Sequence, residues 1–140
     1  MANTIHVDIV SAEGEIFSGP AKMVFLPAAE GEIGVAPRHA PLLALLKAGE
    51  VRVQPPDGDE QSFYVGGGAL EVQPMKVTVL ADTAARAADL DEAAALAARQ
   101  RAEEALAGKI DKLEQAEALA ELARAAAQLK LIERLRKIRG

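Results

Sequence analysis

VTVLADTAARAADLDEAAALAARQ, from Val77 to Gln100, is the stretch in which this chain changes character. Its first residues alternate apolar Val77 and Val79 with Thr78, the period of two expected of a strand with one buried face. From Glu92 onward it is an unbroken run of Ala, Leu, Glu, Arg and Gln, which are strong helix formers. The change falls near Ala84 and predicts two units, a β domain over residues 1–84 and an α-helical one over residues 85–140.

Working back from that break, all seven prolines and nine of the eleven glycines lie before Ala84, the exceptions being Gly108 and Gly140. They punctuate short runs rich in Val and Ile. Ile5, Val7 and Ile9 alternate with Thr4, His6 and Asp8 in the opening run, and further strands are expected at Ala21–Leu26, Gly34–Ala36, Leu42–Leu46, Glu50–Gln54, Ser62–Val65, Leu70–Gln73 and Lys76–Leu80. Many short strands separated by Gly, Pro and Asp turns predict an antiparallel β-sandwich or barrel. Working forward, helices are expected from about Leu90 to Ala107 and from about Lys112 to Ile138. Asp89 or Asp91 supplies an N-cap for the first and Gly108 its end, while Asp111 with Glu114 has the spacing of a capping box for the second. The short join implies an antiparallel hairpin, with Leu119, Leu122, Ala126 and Leu129 as its apolar stripe.

Charge divides with structure. Up to Thr83 there are five Lys and Arg against eleven Asp and Glu, and from Ala84 there are eleven against ten. The 140 residues include three Phe, one Tyr and no Cys, so the core relies on Val, Ile and Leu, and disulfides, thiolate metal sites and cysteine nucleophiles are excluded. The first ten residues alternate rather than carrying a basic head and an apolar core, which predicts no signal peptide and a cytoplasmic location. The apolar run Ala40–Leu46 is far short of the roughly 20 residues of a spanning helix, so any membrane association is expected to go through partners.

No residue set makes a convincing catalytic or metal site. His6 and His39 are the two histidines, and without Cys a metal would need carboxylates gathered by the fold. Gly66-Gly67-Gly68 lacks the following helix and the Lys-Ser/Thr pair of a phosphate loop, and reads as a bulge or a close approach of strands. The acids Asp57, Asp59 and Glu60 read as a solvated turn. The segment Glu30–Pro41 differs, because Gly31, Gly34, Pro37 and Pro41 would hold Glu32, Arg38 and His39 in a fixed arrangement. A binding loop is the favoured reading, and a hydrolase using Glu30, Glu32 and His39 is the disfavoured one. Near the C-terminus, Lys130, Arg134, Arg136, Lys137 and Arg139 face a single acid, Glu133. This helix end reads either as a site for an acidic partner or as a cationic last turn complementing the helix dipole. Nucleic acid fits poorly, since the chain is acidic overall and has no aromatic stacking platform.

Four segments in register, VSAEGEIFSG (Val10–Gly19), EGEIGVAPRHAPLL (Glu30–Leu43), GGGALEVQP (Gly66–Pro74) and VTVLADTA (Val77–Ala84), followed by DLDEA, resemble the epsilon subunits of F-type ATP synthases, most of all the proteobacterial form. Ala-Glu-Leu-Ala at Ala120–Ala123 extends the likeness into the helices. The resemblance implies a non-catalytic rotor subunit of a proton-translocating complex. It implies an N-terminal β-sandwich bound to the gamma subunit and the c-subunit ring, and a C-terminal two-helix hairpin with a regulatory role toward the alpha/beta catalytic hexamer. It places the complex on the cytoplasmic face of an inner membrane. By the same resemblance Glu30, Glu32, Arg38, His39 and Pro41 face the ring and gamma, and the cationic tail is a candidate brake. A free-standing sandwich and hairpin that docks onto other proteins is the alternative.

Some members of that family bind ATP at the hairpin through an Ile/Leu-Asp-x-x-Arg-Ala pattern. Here Leu90, Asp91 and Ala95 match, but Ala94 replaces the arginine, Ala85 stands where an acid is expected and Gln128 stands where a further arginine is. Asp91, Arg101 and Arg124 remain as a reduced set. Each lost charge-assisted contact costs about 1.5–3 kcal/mol, so no cofactor is expected. Isothermal titration of the chain with ATP should give weak or undetectable binding, and micromolar affinity would overturn this reading.

Overall fold

The computed structural model describes residues 3–139, with side chains to residue 138. Eight strands come first: β1 (Ile5–Ser11), β2 (Gly14–Ala21), β3 (Met23–Ala28), β4 (Gly31–Val35), β5 (Leu42–Gln54), β6 (Gln61–Gln73), β7 (Lys76–Ala81) and β8 (Ala84–Arg86). They join in the order β2-β1-β7-β6-β5-β3-β4, with β8 on β6. All pairings are antiparallel except β1 with β7.

Two long strands make two layers from this one ladder. The first half of β5 pairs with the second half of β6, whose other edge pairs with β7. The second half of β5 pairs with the first half of β6 and with β3, and there β8 takes the far edge of β6. The switch lies at the triple glycine. Gly67 and Gly68 have φ of 104° and 138°, values that L side chains rarely adopt. The Gly66 amide donates to the Thr83 carbonyl (2.8 Å) and the Asp82 amide to the Gly67 carbonyl (2.9 Å), so the corner leaves its backbone groups paired. The glycines therefore serve strand geometry, as a close approach within one continuous β6, where separate strands at Ser62–Val65 and Leu70–Gln73 were expected. Likewise Leu42–Leu46 and Glu50–Gln54 are the two halves of β5.

The alternation puts Ile5, Val7 and Ile9 of β1 and Val77 and Val79 of β7 inward with full burial. They meet Val51, Val53, Phe63, Val24, Leu26 and Val35 from the other layer in one core. Strand β2 was not among the strands expected from sequence, and it contains Gly14, Gly19 and Pro20, residues unfavourable in a strand interior. It lies at the end of the strand order, where Pro20, opposite His6, forfeits no ladder hydrogen bond on its free side.

The helical part is a second compact unit, beginning at Ala87, while the β unit runs through Arg86. The expected boundary after Ala84 thus moves by two residues, since Ala84 to Arg86 pair with Val65 to Phe63 as β8. A 3-10 turn (Ala87–Asp89) leads to α1 (Glu92–Ala107), and α2 is Lys112–Arg139. Asp91 is the N-cap of α1, its Oδ1 accepting from the Ala94 amide at 3.1 Å, and Asp111 Oδ1 accepts from the Glu114 amide at 2.7 Å. Gly108 caps α1 with its amide on the Ala105 carbonyl at 3.2 Å.

The seam of the hairpin differs from the expected leucine stripe. Leu119 is 51% exposed, whereas Ala95, Ala102, Ala118 and Ala125 are buried. Ion pairs Arg101–Glu121 (3.4 Å) and Arg136–Glu92 (2.8 Å) set an antiparallel register that brings Ala102 toward Ala118 and Ala95 toward Ala125. Small side chains at a seven-residue spacing let the helix backbones approach closely; Leu119 lies outside this seam, while Leu131 farther along α2 is buried.

A Cβ at position 68 would lie 2.1 Å from the Leu80 carbonyl oxygen, whereas one at Gly58, also at positive φ, would meet nothing within 4 Å. Gly68→Ala should therefore lose about 3 kcal/mol or more, the sum of backbone strain and overpacking, and Gly58→Ala about 1 kcal/mol. Urea unfolding of both variants would reveal the ordering.

Candidate docking face

The segment read as a binding loop, residues 30–41, contains a strand, so its candidate residues fall into two groups. Gly31–Val35 is β4, at the edge of the sheet, because Glu32 and Gly34 alternate with inward Ile33 and Val35. Glu30 is in the turn before it and exposed. Glu32 reaches Arg52 of β5, with Arg52 Nη2 donating to Glu32 Oε1 at 3.1 Å. Arg38 lies beyond β4 in the left-handed region, φ 66°, where its amide donates to the Pro74 carbonyl at 2.8 Å. That bond anchors the segment to the β6–β7 turn and compensates the unfavourable φ. The His39 amide donates to the Ala36 carbonyl at 3.2 Å and its Nδ1–H to the Ala40 carbonyl at 2.7 Å, which fixes the ring tautomer. Pro41 is exposed and directly precedes β5. Glu30 and Glu32 thus flank one end of β4, and Arg38, His39 and Pro41 follow its other end.

Beside the acids lies an open groove of about 470 Å³ lined by residues 28–33 and 42–45. Its rim carries Leu43 and Leu45, 78% and 70% exposed. These leucines were read from sequence as ordinary strand residues, but Leu42–Leu46 is apolar at every position, and in an antiparallel strand such a run must turn one set outward. Cross-strand register extends the set: Leu45 opposes Ala69, Ala69 opposes Leu80, and Leu80 opposes Val10. Leu80 is 55% exposed, so an apolar row crosses β5, β6, β7 and β1 on the outside of the sandwich.

The next rows of the same face are polar. Asp8 opposes Ser18 on β2, and His6 opposes Lys76 on β7. The Ser18 hydroxyl donates to Asp8 Oδ1 at 2.7 Å, His6 Nε2 lies 2.9 Å from the same oxygen and Lys76 Nζ 3.1 Å from Asp8 Oδ2. The Ser18 hydrogen bond foremost, then Lys76 and His6, hold the Asp8 carboxyl below its ordinary value against the opposing effect of partial burial. His6 therefore belongs to a surface cluster that pins β2 and β7 to β1. Asp and Ser both address one imidazole nitrogen, an arrangement without the relay geometry of a hydrolytic triad.

On the hairpin, the cationic candidates are partly engaged. Arg136 donates to Glu92 Oε2 at 2.8 Å and Lys137 pairs with Glu133 at 3.3 Å. Arg134 is half-buried and partnered, and Lys130 is exposed. The side chain of Arg139 lies outside the described residues. Of the reduced nucleotide set, Asp91 spends a carboxylate oxygen on its cap and Arg101 is paired with Glu121. Ten residues of helix, about 15 Å, separate those two, and Arg124 comes from α2. No group of three or more metal-ligating side chains occurs among the described residues.

A sandwich that turns an apolar row outward beside an acidic edge, joined to a charged helical hairpin, defines a protein-docking module. The family model for the delta/epsilon chain β-sandwich domain of ATP synthase matches residues 4–87, and that for its long α-helix domain matches residues 88–133. The ATP synthase epsilon chain of Nitrosococcus oceani is 66% identical over 140 residues, the whole of both chains. That of Alkalilimnicola ehrlichii is 63% identical over 135 residues, 96% of each. In fold, the chain is similar to one from the Euglena gracilis mitochondrial ATP synthase, solved with OSCP, F1 and c-ring, with a TM-score of 0.70 at 18% identity over 100% of this chain and 84% of that one. A chain of the Tetrahymena thermophila mitochondrial synthase central stalk and c-ring gives 0.65 at 12% identity, covering 91% and 96%. This chain belongs to the ATP synthase epsilon-chain family, whose members are accessory, non-catalytic parts of the synthase.

Because the Asp8 carboxyl is held below its ordinary value of 3.8, the ionised group stabilises the fold above that pH. The contribution is lost as pH falls below 3.8 and through the depressed value. The stability difference between the natural chain and Asp8→Asn should shrink in that acid window. Thermal unfolding of both across pH 2–7 provides the check.

Proposed function

We propose that this chain is a central-stalk, rotor subunit of a bacterial proton-translocating F-type ATP synthase. Its β unit, residues 1–86, couples the catalytic core to the membrane ring during ATP synthesis, and its hairpin restrains ATP hydrolysis. The reading is carried above all by the apolar row Val10, Leu80, Ala69 and Leu45 on the outside of the sandwich. Burying an exposed leucine contributes about 1.5–3 kcal/mol, so such a row favours a permanent partner, which we take to be the gamma subunit. The polar loops of the c ring then meet Glu30, Glu32, Arg38, His39 and Pro41. The cationic tail of Lys130, Arg134, Arg136, Lys137 and Arg139 meets an acidic segment of the alpha/beta hexamer.

The brake works as a shift between hairpin positions. A hairpin extended into the hexamer obstructs turnover, and charge pairing biases the balance between that state and the compact one. The alanine-rich surface of the hairpin suits exchange, since small side chains bury little area against a neighbour and separate at low cost. No helix among the described residues is long and apolar enough to cross a membrane. Attachment through gamma and the ring would hold the chain at the cytoplasmic face of the inner membrane.

The test is ATP hydrolysis by the alpha, beta and gamma core with added chain. Full-length chain should bind and inhibit, a chain ending at Arg86 should bind without inhibiting, and Leu45→Asp/Leu80→Asp should bind at least about tenfold more weakly. If the double leucine variant binds normally, the apolar row is not the interface. Equal inhibition by the shortened chain would remove the brake from the hairpin.

A further inference from the structure

Glu32 stands on an edge strand with its side chain 56% exposed, yet it is not a loose surface acid. Arg52 reaches it from β5 across the intervening β3, and the path is built. Phe25 of β3 pairs with Arg52 on one side and with Gly34 of β4 on the other. A Cβ at position 34 would come within 3.1 Å of Phe25 Cε1, so the absence of a side chain there lets the ring lie over β4. The Arg52 guanidinium then stacks on that ring, 4.3 Å from its centroid.

The stacked guanidinium is fixed from two sides. Its Nη2 donates to Glu32 Oε1 at 3.1 Å, and its Nη1 lies 3.6 Å from Glu60 Oε2. Glu60 in turn accepts from Gln54 Nε2 at 3.3 Å. A planar fork held on an aromatic face has little freedom to follow a moving carboxylate, so the carboxylate is held by the fork. A carboxylate has about four acceptor positions, and one bond to Arg52 leaves Glu32 able to accept from an incoming donor.

We infer that Arg52 is a positioning residue for docking onto the ring: stacked on Phe25, it presents Glu32 in one orientation and offsets its charge. Glu32 then recognises a neutral or cationic hydrogen-bond donor of a polar loop by geometry more than by net charge, and its binding is less sensitive to salt than that of a bare acid. This rests on the reading that Glu32 meets the c ring.

The experiment measures binding of full-length chain to a purified gamma–c-ring assembly at two salt concentrations for Glu32→Gln, Arg52→Gln, the double variant, Arg52→Lys and Phe25→Leu. Glu32→Gln and Arg52→Gln should each weaken binding about tenfold, and the double variant should be no weaker than either alone, because both remove one interaction. Arg52→Gln should also steepen the salt dependence. Arg52→Lys keeps the charge without the planar fork and should recover only part of the affinity, as should Phe25→Leu, which removes the platform and leaves Arg52 in place. Thermal unfolding of each variant separates loss of fold from loss of positioning. If Arg52→Gln binds normally while Glu32→Gln does not, or if the two losses multiply in the double variant, the positioning role is wrong and the ring contact stands. If Glu32→Gln itself binds normally, the assignment of Glu32 to the ring falls, and the role of Arg52 with it.

Discussion

The close approach of the Gly68 backbone to the Leu80 carbonyl is the constraint on which the β unit depends. Only a residue without Cβ can sit there, and only at that corner can β6 give up one neighbour, β8, and take another, β7. Strands β5 and β6 thereby belong to both layers, and the inward residues of each layer meet in one core. A side chain at this corner would push β6 from β7, and β7 carries the parallel pairing that holds β1 and β2.

That architecture also decides what faces outward. Because β1, β7, β6 and β5 lie side by side in fixed register, residues remote in sequence, Val10, Leu45, Ala69 and Leu80, become one row. Two residues farther along the strands, Asp8 and Ser18 form the polar cluster that ties the edge strand down. The two chemistries sit on one face because strand side chains repeat every second residue. The acidic edge at Glu30 and Glu32 borders the same groove that Leu43 and Leu45 rim, so apolar and charged recognition are offered side by side.

In the hairpin the dominant feature is small size. Ala95, Ala102, Ala118 and Ala125 bury little area each, and ion pairs at Arg101 and Arg136 supplement the seam. Exposed pairs of this kind contribute little, typically below about 1 kcal/mol. A helical pair held in this way is coherent but exchangeable, which suits an element whose proposed work is to change position. Arg136 illustrates the link: the cation offered to an acidic partner is in this arrangement already shared with Glu92.

The sequence alone determined the order of β and helical units, the capping of the second helix by Asp111, the inward alternation of β1, and the family, because each is written in neighbouring residues; between Asp89 and Asp91 as the first cap, the structure chose Asp91. Periodicity and caps are local, and a four-segment resemblance needs no coordinates. It did not determine that Leu42–Gln54 and Gln61–Gln73 run unbroken, since glycine reads locally as an interruption and only the paired strands turn it into a corner. Nor did it determine that alanines rather than Leu119 form the hairpin seam, because the facing helix selects the face. The apolar row, and the hold of Arg52 on Glu32 across Phe25, were decided by tertiary structure: both join residues whose proximity exists only once strand register is fixed.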